Sequence, residues 1–321
     1  MQRRLIDYFI ISLKGIAMGA ADVVPGVSGG TIAFVSGIYE ELIESIDSLN
    51  FGFFKVWKSS GFKKAWFIIN GNFLIALLFG IALSILSLAK VIKWLLANEP
   101  ILLWSFFFGL VIASVLYIGK QIKTWNISVV VTILIATCLS YLITIAEPYA
   151  SPESNIYLLF CGFIAIIAMI LPGVSGAFIL LILGAYQTAI NTVDELIQSL
   201  VTTNFELFKA AFLKFLMLAI GAVIGLKTFS KALKWMFKNY KNLTLAVLTG
   251  FMVGSLNKIW PWKKVLSTRI NSHGEKAPFL EESISPFAFE GKHQLTLAIG
   301  LMVIGFLTIL ILEKLGSKTN D

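Results

Sequence analysis

Val24-Pro25-Gly26-Val27-Ser28-Gly29-Gly30-Thr31 interrupts a hydrophobic run, and the pattern returns as Leu171-Pro172-Gly173-Val174-Ser175-Gly176-Ala177-Phe178. A proline and glycines inside such a run break a helix and free backbone N–H groups. In a bilayer a break of this kind is tolerated only where protein or a water-lined cavity covers it. Matching breaks in two chain halves point to the binding site of a transporter.

The surrounding chain supports the membrane assignment. It has 321 residues, is 57% hydrophobic and only 14% charged, and its mean hydropathy is +0.85. A soluble domain carries about a quarter charged residues. Runs such as Ile127–Ala146 and Leu295–Leu312 approach the length that spans hydrocarbon. The composition thus specifies an all-α polytopic membrane protein. The net charge of +8 does not indicate nucleic acid, because lysines gather just beyond apolar segments, as at Lys55, Lys58, Lys63 and Lys64. Juxtamembrane lysines facing anionic lipid account for them. Cys138 and Cys161 lie in apolar segments without metal spacing and read as packing residues. The first apolar run leads into the Pro-Gly motif and has no A-x-A site, so no cleavable signal is expected.

The motif belongs to a longer repeat. At an offset of 147, Lys14–Ile46 overlays Cys161–Val193 with 11 identities in 33 positions, among them Gly15/Gly162, Gly37/Gly184 and Tyr39/Tyr186. At an offset of 141, Lys90, Lys93 and Trp94 meet Lys231, Lys234 and Trp235, and Gly109 and Ser114 meet Gly250 and Ser255. Five consecutive identities followed by a second matched K-x-x-K-W exceed chance similarity of apolar helices. Residues 1–150 and 151–321 therefore form two repeats. Each is expected to hold a broken hairpin, at 5–46 and 156–193, followed by three transmembrane helices.

Loop charge sets the orientation. Arg3 and Arg4 precede the first hairpin and the lysine-rich loop 51–66 follows it, so both flanks read as cytoplasmic. The first hairpin is then re-entrant, with Pro25 and Gly26 at its tip. Three crossings per half invert the second repeat, bring Pro172 and Gly173 in from the opposite face, and leave both termini cytoplasmic. The return Ala177–Ile190 is longer than its counterpart and could cross more deeply, and two full crossings per broken segment would also preserve the inversion. The stretch 260–292, external on this scheme, mixes basic and acidic residues and reads as a solvated loop, with a cap or partner surface as the alternative.

The chemistry expected at the motif is anion binding. A helix restarting after each break offers N–H groups without internal partners, and its dipole favours negative charge. Ser28, Gly29, Gly30 and Thr31 in one repeat, and Ser175, Gly176 and Ala177 in the other, are the candidate anion-binding residues. The glycines allow the close backbone approach that such a nest needs; close helix packing would also use them. Lys14 and Asp22 are the ionisable residues placed furthest into the first apolar run, and intramembrane charge is costly. Lys14 could neutralise an anionic substrate or snorkel to the surface. Asp22 could carry a coupling proton or cap a broken helix end. Their repeat partners are Cys161 and Met169. No cofactor is expected; proton or sodium coupling is compatible with the residues but is not specified by them.

Enzymatic readings fit less well. Gly26-Val27-Ser28-Gly29 has the shape used by intramembrane serine proteases, yet neither His273 nor His293 lies inside an apolar helix to serve as base. No Cys, His or carboxylate cluster has metal spacing, and no Walker loop is present. A small-anion channel or exchanger is one reading of paired half-helix N-termini.

The residues Lys14-Gly15, Met18–Thr31, Gly37-Ile38-Tyr39 and the second copy Pro172–Gly176 resemble the PopT-type polyprenyl-phosphate transporters, a bacterial family formerly described as a domain of unknown function. The resemblance extends over essentially the whole chain. It implies a multi-pass protein of the bacterial cytoplasmic membrane that returns undecaprenyl phosphate from the outer to the inner leaflet for reuse in cell-wall synthesis. It implies a polyprenyl-phosphate partner within membrane lipid and leaves the oligomeric state open.

Overall fold

The computed structural model describes residues 3–24, 27–146, 154–270 and 276–317, so the tip residues Pro25 and Gly26 lie outside the described residues. Most of the chain is helical. Residues 1–150 hold α1 (Leu5–Val23), α2 (Gly29–Val35), α3 (Tyr39–Ser48), α4 (Phe51–Ser60), α5 (Phe62–Ile68), α6 (Gly71–Asn98), α7 (Pro100–Gln121) and α8 (Ile127–Ile145). Residues 151–321 hold the helices α9 (Asn155–Ile170), α10 (Gly176–Ile182), α11 (Tyr186–Thr202), α12 (Phe205–Asn239), α13 (Lys241–Ser255) and α14 (Leu295–Ser317). The long helices agree with the segments expected from hydropathy.

Packing follows the repeat. Helix α1 lies along α6 as α9 lies along α12, and α7 packs on α14 as α13 packs on α8. The offset glycines make these contacts. A Cβ on Gly15 would strike the backbone of Leu77, and one on Gly80 that of Ser12. Their counterparts Gly162 and Gly221 meet Leu218 and Leu159 in the same way. Small residues let helix backbones touch where no hydrophobic force drives helix association.

Among the described residues, four helices, α6, α7, α8 and α12, are long and apolar enough to cross a membrane, and the bent pair α10–α11 is a fifth candidate. Their surroundings differ. In its apolar window α7 is 61% buried, against 17% for α8 and 11% for α12, so α7 is central and the others turn apolar side chains outward. All seven residues of α2 are buried, and α13 is buried along most of its length. A short broken helix thus occupies the middle of the molecule.

Three regions differ from the sequence expectation. The return Ala177–Ile190 is not continuous: α10 ends at Ile182, and the chain turns by 108° into α11. The cause is Gly184, whose φ of +67° is open to glycine and closed to most side chains. Gly37, its repeat partner, has φ +74° and ends α2 likewise. Both returning half-helices are therefore seven residues long, about 10 Å at helical rise. The lysine-rich stretch 51–66 forms the short helices α4 and α5, with Phe54, Trp57 and Phe62 exposed. The stretch 260–292 is not wholly irregular, and the fold is not purely helical: β1 (Lys263–Ile270) pairs antiparallel with β2 (Lys276–Ser283) through a bulged register. Trp262, 2% exposed, anchors this hairpin by donating its indole N–H to His293 O.

Candidate functional site

The two interruptions meet. The Gly173 N–H donates to Thr31 Oγ1 at 3.1 Å, and Ser28 Oγ donates to Met169 O at 3.2 Å. Tyr39 Oη donates to Ile170 O at 3.0 Å. The first repeat's restart therefore satisfies the carbonyls that α9 leaves open where it ends at Ile170. Ser28 and Thr31 are 1% and 0% exposed, so these bonds are made away from water, where an unpartnered group is costly.

The start of α2 is closed by the protein itself. Asp22 Oδ1 accepts the Gly29 N–H at 2.6 Å, Ser28 Oγ accepts the Gly30 N–H at 3.1 Å, and Ser28 O accepts the Thr31 N–H at 2.9 Å. Lys14 serves the other end, donating to Ser36 O at 2.7 Å. Asp22 and Lys14 are eight residues apart, about two turns, and so share a face of α1. A carboxylate at the N-terminus and an ammonium at the C-terminus both complement the dipole of α2. In this conformation the charged pair serves α2 as its caps.

The start of α10 is different. Met169 stands where Asp22 would, and Ser175 makes no side-chain cap bond. Among the described residues, no acceptor takes the N–H of Gly176 or Ala177. Ser175 lines a narrow cleft with Ser140, Thr144, Gly173, Phe178 and Lys258. The enclosed part of this cleft has room for one water at most. Ser140 and Thr144 are already committed, donating to Phe251 O and Tyr141 O. Ser175 and the Lys258 ammonium are the groups available to an anion.

Lys258 and the hairpin carry a feature that motif reasoning missed. Glu281 Oε2 lies 3.4 Å from both Lys258 Nζ and Lys263 Nζ. Lys258 Nζ sits 4.7 Å from the Phe178 ring centroid, and Lys263 Nζ sits 4.3 Å from that of Trp104. Such ring faces attract cations. Burial holds the Lys263 amine down at about 8, against the partial support of Glu281. Nothing in the sequence spacing links residues 258, 263 and 281 to Ser175; only the hairpin register brings them there. No cluster of metal-ligating residues occurs among the described residues.

Comparison with known proteins gives the same assignment from a separate direction. Residues 18–277 match the model of the VCA0040-like family, described as undecaprenyl phosphate translocase-like. The chain belongs to this family. It is 45% identical over 99% of its length, and all of the relative's, to a polyprenyl-phosphate transporter of Vibrio cholerae serotype O1. It is 32% identical, over 78% of this chain and 85% of the relative, to a polyprenyl-phosphate transporter of Staphylococcus aureus. No solved structure matches. Family membership and the apolar helices together make the chain a multi-pass membrane protein.

Proposed function

We propose that this protein carries a polyprenyl phosphate, undecaprenyl phosphate, from the outer to the inner leaflet of the bacterial cytoplasmic membrane. The observation that carries this is the contact of the two interrupted segments inside a chain whose full-length relative is named for polyprenyl-phosphate transport. The lipid has a phosphate on a long apolar tail. Only the headgroup needs a polar path, and the tail remains in hydrocarbon. An unescorted phosphate would cross far too slowly, because intramembrane charge is so costly.

On this reading the repeats are inverted, both hairpins are re-entrant, and both termini are cytoplasmic. The first site, Ser28 to Thr31 beside the tip Pro25-Gly26, is the inward-facing half and is closed by Asp22. The second, Ser175 to Ala177 beside the tip Pro172-Gly173, is the outward-facing half and is open beside Lys258. The headgroup passes from one to the other as the first site opens. Asp22 must then leave the Gly29 N–H, and this is the step at which a proton can be coupled to transport. Lys14 keeps the far end of α2 fixed.

The test is reconstitution of the full chain into vesicles carrying undecaprenyl phosphate in the outer leaflet. We expect the lipid to become protected from a membrane-impermeant phosphatase faster than in protein-free vesicles. Equal rates would rule out flipping. Chloride flux without lipid protection would instead favour the small-anion exchanger.

A further inference from the structure

The cleft beside Ser175 is lined by Lys258, whose ammonium shares one carboxylate oxygen with a second lysine. Glu281 Oε2 is 3.4 Å from both Lys258 Nζ and Lys263 Nζ, so two cations face one anion. The side chains are 18%, 8% and 20% exposed for Lys258, Lys263 and Glu281, too little for bulk water to neutralise the excess charge. The two lysines are held differently. Lys263 Nζ also donates to Lys258 O at 2.6 Å and lies on Trp104, which fixes it in the hairpin. Among the described residues Lys258 Nζ has Glu281 and the face of Phe178 as its partners, and it reaches the cleft. The Ser175 hydroxyl on the same wall makes no hydrogen bond within the described residues.

Resting on the transport function proposed above, we propose that Lys258 is a headgroup-binding cation and Glu281 its exchangeable counter-ion, so that the cleft selects phosphate monoesters over phosphodiester lipids. A phosphate monoester carries roughly −1.5 to −2 charges near neutrality and a set of acceptor oxygens. It can replace Glu281 between the two ammoniums and accept from Ser175. A phosphodiester, with one charge, offers the lysines no more than Glu281 already does. Exchange breaks the Glu281–Lys258 link, while Ser283 to Asn257 and Trp262 to His293 still hold the hairpin in place. The enclosed cleft is narrower than a phosphate, so the headgroup takes the space that the Glu281 carboxylate gives up.

The experiment uses the full chain in lipid nanodiscs, with a short, water-soluble prenyl monophosphate and its methyl ester as probes. Wild type should bind the monoester more tightly. Lys258→Met should weaken the monoester by about tenfold and the methyl ester little, so that discrimination collapses, as loss of a charge-assisted contact predicts. Lys258→Arg should retain it. Glu281→Gln should tighten the monoester severalfold by removing the competitor. Undiminished discrimination in Lys258→Met, or weaker binding in Glu281→Gln, overturns the inference. Inorganic phosphate binding as tightly as the prenyl monoester overturns the assignment to a lipid headgroup. Should Lys258→Met fail to fold, Glu281→Gln decides alone. The outcomes separate cleanly: wild type that flips lipid while Lys258→Met discriminates normally refutes only this inference. Wild type that neither flips nor binds refutes the transport function itself.

Discussion

Lys14 and Tyr157 perform one task in the two repeats. Lys14 Nζ donates to Ser36 O and Tyr157 Oη donates to Leu183 O, both at 2.7 Å. Ser36 and Leu183 are repeat partners; Lys14 and Tyr157 are not. Each carbonyl ends a seven-residue helix just before a glycine at positive φ. The repeat preserves the backbone requirement, and different side chains on different turns meet it.

That equivalence predicts a stability order. Lys14→Met removes a charged donor and strands Ser36 O in a part-buried site, which costs roughly 1.5–3 kcal/mol. Tyr157→Phe removes a neutral donor and costs about 1 kcal/mol. Unfolding midpoints in one detergent check this, and Tyr157→Phe proving the more damaging would contradict the capping account.

The two serines of the motif should separate stability from transport. Ser28 is buried, accepts from Gly30 and donates to Met169 O, so Ser28→Ala should lower stability by about 1–2 kcal/mol. Ser175 has no such bonds among the described residues and borders the cleft. Ser175→Ala should leave the unfolding midpoint unchanged and slow lipid flipping severalfold. Equal midpoints for the two variants would show that the Ser28 bonds carry little energy.

This division was only half legible in the sequence. The apolar runs, the 147-residue offset and the proline gave the long helices and both breaks, because those follow from hydropathy and backbone chemistry. Asp22 and Lys14 stood out as intramembrane charges; capping was among the readings of Asp22, whereas Lys14 reads as a substrate cation or a snorkelling side chain. Their pairing to opposite ends of α2 needed the fold-back of α2 on α1. Gly37 and Gly184 were visible as matched residues, yet identity alone does not reveal a positive φ. Lys258 and Glu281 carried no signal, since an ordinary charge-bearing loop and a bulged hairpin look alike until strand register is known.

The face that we assign to the cytoplasm is held by ion pairs between repeats. Lys234 Nζ lies 3.0 Å from Asp47 Oδ2, and Lys241 Nζ lies 2.9 Å from Glu40 Oε1. Helix α13, starting at Lys241 and ending near Lys258, separates this face from the cleft by about 22 Å at helical rise. These pairs are part-exposed, and each contributes about 0.2–1 kcal/mol. Glu40→Gln with Asp47→Asn should therefore barely alter global stability while favouring the state open on this side. Ile43, which is 1% exposed, lines the groove between α3 and α12 with Lys234 and Phe237. In a protein lacking Cys138 and Cys161, an Ile43→Cys probe should react severalfold faster with a membrane-impermeant maleimide once the pairs are removed. An unchanged rate would mean that the pairs do not govern closure.

Lys263 makes the protein's stability depend on pH in a distinctive direction. Burial against Trp104 lowers its pKa from 10.5 to about 8, with Glu281 opposing the shift. Below pH 8 the amine is charged in both folded and unfolded chains, and the folded state bears the full cost of burying that charge. Between about 8 and 10.5 the unfolded chain holds the extra proton, so stability rises with pH across this window. Above it the cost has gone. Lys263→Met removes the buried charge and should stabilise the protein near pH 7 by an amount of order 2–3 kcal/mol. The gain should shrink as pH rises through 8 to 10.5, because the neutral amine no longer opposes folding. Glu281 limits the benefit, since Lys258 alone must then balance it. Unfolding midpoints of wild type and Lys263→Met across pH 7–10.5 decide the matter: two parallel curves would show that Lys263 keeps an ordinary pKa and that water reaches it behind the hairpin.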